Sequence, residues 1–96
     1  MDLEIAIIAA KGGDAAGLID AMNNGGGRAG LLAVPGCRSV KVLPGVEQPG
    51  NVLFLVEWES VEAHNAGRDS DGFKAFIAAA SPFFGEGGSM QHFRLD

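Results

Sequence analysis

The sequence predicts an α+β domain of order β-α-β-β-α-β, built on a four-stranded antiparallel sheet. Three observations predict it. Ala15, Leu18, Ile19 and Met22 recur at helical spacing, and so do Phe73, Phe76, Ile77 and Ala80. Four strand-like runs lie before, between and after these two patterns. Each helical pattern follows a capping residue, Asp14 for the first and Ser60 and then Ser70 or Asp71 for the second.

Leu3 to Ala10 is a short apolar run whose length and isoleucines favour a central strand covered on both faces. Lys11-Gly12-Gly13 ends it and Asp14 caps the first helix. Asn23-Asn24-Gly25-Gly26-Gly27 stops that helix, because Gly and Asn accept the left-handed cap conformation. These glycines follow a helix rather than precede one, so they do not make a phosphate loop. Ala29 to Ala33 adds one helical turn and Val34-Pro35-Gly36 a turn. Cys37 to Leu43 alternates polar and apolar residues as a second strand.

Pro44 to Gly50 is a hairpin loop leading to the third strand, 51–59. That strand places Phe54, Val56 and Trp58 on one face and Leu53, Leu55, Glu57 and Glu59 on the other. Ser60 starts the second helix, and the Gly67 to Gly72 cluster breaks it before its continuation. Ser81-Pro82 ends the continuation, Phe83-Phe84 reads as an exposed pair, and Ser89 to Leu95 is the last strand. The order is ferredoxin-like and fills residues 1–96 as one domain.

Composition excludes several function classes. A net charge of −5 argues against nucleic acid and anionic membrane surfaces. The longest apolar run is about six residues, far short of a membrane span. One thiol, Cys37, cannot form an internal disulfide, and Met1-Asp2-Leu3-Glu4 has no basic segment, so a cytoplasmic protein without a signal peptide is expected. A hydrophobic content of 47% in 96 residues is a surplus that an oligomer would bury.

The string Leu55-Val56-Glu57-Trp58-Glu59-Ser60-Val61-Glu62-Ala63-His64, followed by Ser70, Phe73 and Phe76, resembles the antibiotic biosynthesis monooxygenase family. Pro35-Gly36-Cys37, Glu47 with Pro49, Pro82-Phe83-Phe84 and His92-Phe93 fit in the same order. The resemblance implies a homodimeric α/β barrel in which two sheets pack face to face. It also implies a pocket between each sheet and its helices, and cofactor-free oxidation of phenols or quinols by dioxygen. Haem-degrading relatives use an Asn on the first strand and a His late in the second helix. This chain has neither, which sets haem aside. The phenol-oxidising members use pocket tyrosines, and this chain has none; Phe54 stands where they carry a polar group.

Within that frame, Trp58 either lines the pocket and donates its indole N–H to a substrate oxygen, or packs in the core. Phe54, Phe73 and Phe76 are further pocket walls. His64 is either a general base for a phenolic proton or a histidine packed on the apolar stripe. His92, with Met90 and Arg94 on its face, reads as a structural ion pair with Glu57 or Glu59, or a dimer contact. Arg28 and Arg68 stand where they could rim a pocket mouth. Cys37 reads as a small packing group. Two histidines and one cysteine on three separate elements lack the close spacing of a zinc site, so no metal and no cofactor are expected.

The expected function is a cofactor-independent monooxygenase acting on a small aromatic, phenolic or quinol-like molecule. The alternative is a non-catalytic dimeric barrel that binds a small hydrophobic ligand. A purely structural module would instead fill the gap between sheet and helices with side chains.

Overall fold

The computed structural model describes residues 1–95. β1 (Asp2–Ala10) and β3 (Asn51–Trp58) form the centre of an antiparallel sheet of order β2-β3-β1-β4, with β2 (Cys37–Pro44) and β4 (Phe84–Arg94) at its edges. The helices are α1 (Ala15–Asn23), α2 (Gly27–Leu32), α3 (Val61–Ala66) and α4 (Asp71–Ala80). This is the expected ferredoxin-like α+β arrangement, with α2 added as a second short helix where one turn was expected.

Side-chain caps fix the helix starts. Asp14 Oδ1 accepts from Gly17 N at 2.9 Å, Ser60 Oγ from Ala63 N at 3.1 Å and Ser70 Oγ from Phe73 N at 3.2 Å. Each such cap stabilises its helix by about 1 kcal/mol. Asp2 Oδ2 also accepts from Val61 N at 2.8 Å, which ties the start of α3 to the start of β1.

The helices cover one face of the sheet. Ala6, Val40, Val52, Phe54, Val56 and Trp58 face Leu18, Met22, Leu31, Phe76 and Ala80 in a single core. The strict alternation of β3, buried at Val52, Phe54, Val56 and Trp58 and half-buried between them, follows from that one-sided cover. Leu3, Ile5, Ile7, Leu53 and Leu55 point to the other face, and no described element lies on it. Ile7 is 38% exposed and Phe93 48%. The cover expected on both faces of β1 is therefore supplied by this chain on one face only.

β4 begins at Phe84, five residues before the expected Ser89. Its glycines are part of the strand. Gly87 and Gly88 take φ of 88° and 114°, open to glycine, and the β1–β4 register shifts between Ile8 and Ala10. Phe83 and Phe84, expected to be exposed, are half-buried against the core: the longer strand pairs Phe84 with Ala10 of β1, and Phe83, in the turn before it, lies against Gly17 of α1.

α2 and α4 touch through glycines. A Cβ on Gly30 would stand 2.7 Å from both the Gly72 carbonyl oxygen and the Phe76 amide nitrogen. Alanine would gain about 1 kcal/mol of helix propensity. The overlap is with backbone that cannot turn aside, so the clash prevails. Gly30→Ala is expected to destabilise the fold by about 2 kcal/mol, lowering the melting temperature by roughly 10 °C. An unchanged thermal melt would refute this close contact.

Candidate functional site

Strand register assembles the site. Glu4 lies directly opposite Val56 on β3 and His92 on β4, and Trp58 is one pleat along the same face. Glu4 is buried, 7% exposed. The Trp58 indole Nε1–H donates to Glu4 Oε1 at 2.9 Å. The Ser60 and Asp2 contacts set α3 so that His64 falls over Trp58, the two rings stacked 4.5 Å apart and 4° from parallel. His64 Nδ1 lies 2.8 Å from His92 Nε2 and 3.5 Å from Glu4 Oε1. The shorter distance is a hydrogen bond, so one of those two nitrogens carries the proton and the other accepts it.

A cavity of about 200 Å³ opens beside this cluster, between the sheet and α4. Phe54, Phe73, Phe76 and Phe84 supply its aromatic wall, with successive rings 5.5 to 6.3 Å apart in edge and tilted contacts. Ala6, Ile8, Ile77 and Met90 complete the apolar lining, while Glu4, His64 and Arg68 are its polar members. Nδ1 of His64 is turned to His92 and Glu4, which leaves Nε2 as its free ring nitrogen. Larger hollows lie beside the 45–51 loop and between Pro35 and Ser70, at about 360 and 480 Å³. Neither is lined by a histidine or an aromatic ring.

Burial governs the charges. Desolvation raises the Glu4 carboxyl above its ordinary value, against the opposing pull of the Trp58 N–H, His92 and Arg68. Desolvation also lowers His64, to about 4, with the positive charges of Arg68 and His92 acting in the same direction. Both shifts favour neutral forms, so Glu4 and His64 do not rest as an ion pair despite their 3.5 Å approach. Burial first, then the Glu4 charge, pushes the Cys37 thiol up to about 11, which keeps it protonated and unreactive at neutral pH.

Residues 3–79 match the family model of antibiotic biosynthesis monooxygenases. The chain belongs to the antibiotic biosynthesis monooxygenase family. Solved structures agree in fold. A Bordetella bronchiseptica protein assigned by name to the same family is 24% identical, with a TM-score of 0.85 over 99% of this chain and 96% of that one. A Chloroflexus aurantiacus protein assigned to it is 22% identical, with a TM-score of 0.76 over 96% and 89%. SnoaB, a cofactor-independent oxygenase from Streptomyces nogalater, is 13% identical, with a TM-score of 0.76 over 99% and 92%. No curated protein matches the chain. No described helix is long and apolar enough to cross a membrane.

Of the residues named from sequence, the structure of this family member brings His64, Phe54, Phe73, Phe76 and Arg68 to one cavity. Trp58 does not line it. Trp58 is fully buried behind His64, and its N–H, expected to be offered to a substrate oxygen, is taken by Glu4. Arg28 lies elsewhere, its Nε–H donating to Val40 O at 2.9 Å. His92 bonds His64 and stands opposite Glu4 in the sheet, and does not pair with Glu57 or Glu59. Glu57 accepts from Ser39 at 2.8 Å and Glu59 pairs with Arg38. Glu4, and not Cys37, is the third metal-ligating donor beside both histidines. Glu4 shares the strand parity of Ala6 and Ala10, and that signal was available in the sequence.

Acid stability follows from these shifts. An unfolded His64 takes up its proton near pH 6.5, a folded one only near 4. Between those values the unfolded chain binds more protons, so stability falls as pH falls, by up to about 3 kcal/mol. Glu4 works in the opposite sense, its raised carboxyl favouring the fold as pH falls, and trims that loss. His64→Gln is expected to flatten the drop in urea midpoint between pH 7 and pH 5. An identical drop in both proteins would contradict a buried neutral His64.

Proposed function

We propose that the protein is a cofactor-independent monooxygenase that oxidises a one- or two-ring phenol or quinol, working as a cytoplasmic homodimer. The observation that carries this is the aromatic cavity with Glu4 and His64 at one end. Its volume is slightly above the roughly 150 Å³ of an apolar cavity that accepts benzene, and falls short of a large polycyclic substrate. Family membership supports oxygenase chemistry, and SnoaB is a relative in fold described as working without a cofactor.

The chemistry asks for one strategic proton transfer. A phenol gives electrons to dioxygen readily only as its anion. His64 Nε2 is the acceptor for that proton. The contact of Nδ1 with His92 offers the proton a way on toward the sheet edge. The ring anion passes one electron to dioxygen, the resulting pair joins as a ring peroxide, and O–O cleavage leaves a quinone and water. One oxygen atom enters the ring and the other leaves as water, so the step balances without an added reductant. The apolar walls exclude bulk water and orient the ring.

A second reading is favoured by two features, the absence of any tyrosine and the apolar character of most of the lining. On that reading the same cavity holds a small hydrophobic molecule without turnover.

Oxygen uptake with simple hydroquinones and naphthols separates the two. The monooxygenase reading expects consumption of dioxygen matched by quinone formation, and His64→Ala is expected to lower kcat by about 100-fold or more. Tight ligand binding with no uptake across the panel would favour the second reading. Unchanged kinetics in His64→Ala would remove that residue from the mechanism.

The dimer is supported by the apolar face of Leu3, Ile5, Ile7, Leu53, Leu55 and Phe93, which a second sheet packed about 10 Å away would cover. Sedimentation at micromolar concentration is expected to give a dimer, and Leu55→Lys a monomer. A monomeric wild-type chain would overturn this part of the proposal.

A further inference from the structure

We propose that Glu4, His64 and His92 form a binding site for one divalent first-row transition-metal ion. The inference goes beyond the proposed oxidation and does not depend on it.

The donor atoms come from three elements and converge. Glu4 is on β1, His92 opposite it on β4, and His64 on α3, and one ligand atom from each lies within 4.8 Å of the others. Ligand atoms about 2.1 Å from a metal, at tetrahedral to octahedral angles, stand about 3.0 to 3.4 Å apart. The two short separations here, 2.8 Å for Nδ1 to Nε2 and 3.5 Å for Nδ1 to Oε1, bracket that range. The third separation, Glu4 to His92, is wider but within 4.8 Å, so side-chain rotation that draws the Glu4 carboxylate toward His92 brings the three onto one ion.

The donor chemistry selects the ion class. Two imidazoles and one carboxylate suit zinc, iron(II) and cobalt(II) better than calcium or magnesium, which favour all-oxygen sets. The surroundings resemble the outer shell of a metal site. The Trp58 N–H holds the carboxylate in place, and the stacked indole fixes the plane of His64. Glu4 and His64 also line the cavity, so a bound ion would keep an open position there for water or a small ligand. Arg68 is the one cation in the cavity lining. Its exposed position leaves its charge screened by solvent, so it opposes an ion only weakly.

Metal and base use of the cluster exclude each other. With Nδ1 on the ion, neutral His64 carries its proton on Nε2, which is then a donor and not an acceptor. A metal of this class would thus switch off the acceptor that the cofactor-free oxidation needs.

The test uses the full chain, stripped with a chelator, titrated with zinc chloride by calorimetry and with cobalt(II) by visible absorption. One zinc per chain is expected at micromolar affinity or tighter, with cobalt bands characteristic of nitrogen and oxygen ligands. Glu4→Gln, which keeps an oxygen for the Trp58 N–H, and His92→Ala, at a half-buried edge-strand position, are each expected to weaken binding by at least about tenfold. Zinc should raise the melting temperature of the wild type and not of His92→Ala. No stoichiometric binding at 100-fold excess zinc, or binding that both variants retain in full, would overturn the site. Neither result bears on oxygen uptake by the metal-free protein, so the failure of this proposal and of the oxidation are separately visible.

Discussion

The Glu4 carboxyl is the constraint on which the site depends. A carboxyl group taken out of water costs several kcal/mol unless its oxygens find donors. Here the only buried indole in the chain answers that need. Trp58 must therefore sit with its N–H toward β1, one pleat from Glu4 across an antiparallel pair. That orientation turns the flat of the indole toward α3, where it receives the His64 ring. His64 in turn meets His92, which β4 places opposite Glu4. Loss of the carboxyl would leave the indole N–H unpaired in the core and remove the reason for the stack.

The elements were legible in the sequence because each rests on local chemistry. Asp14, Ser60 and Ser70 announce the helix starts with side chains that bond within three residues. Phe73, Phe76 and the other residues at helical spacing announce which side of α4 meets the sheet. Phe73 and Phe76 followed from that helical spacing and Phe54 from the alternation of β3. The site's polar half was less legible, because it depends on strand pairing between residues far apart in the chain. Trp58 and Glu4 are separated by more than half the sequence, and His92 pairs with Glu4 across an edge of the sheet that no local pattern reveals. A glutamate in the apolar run of β1 reads locally as an interruption. Only its parity with Ala6 and Ala10 marks it as inward-facing.

Parity also separates the two working surfaces of the sheet. Even-numbered residues of β1 and β3 build the core, the cavity and the cluster; odd-numbered ones build the uncovered apolar face. A slip of one residue in either pairing would carry Glu4 out of the protein and bring Ile5 or Leu55 in. The cluster and the apolar face are therefore specified together, by the same register.

β4 shows how that register survives an irregularity. From Ile8 to Ala10 on β1 is a step of two residues, while the paired stretch of β4 from Gly88 back to Phe84 is a step of four. The excess is two residues, an even number, taken up by glycines of which Gly87 and Gly88 adopt φ values open to glycine. An excess of one would have sent Phe84 to the opposite face from Met90 and His92. With two, all three stay on the helix side, so Phe84 and Met90 close the cavity while His92 reaches Glu4. The glycine-rich segment is thus the device by which one edge strand serves both the aromatic wall and the polar cluster.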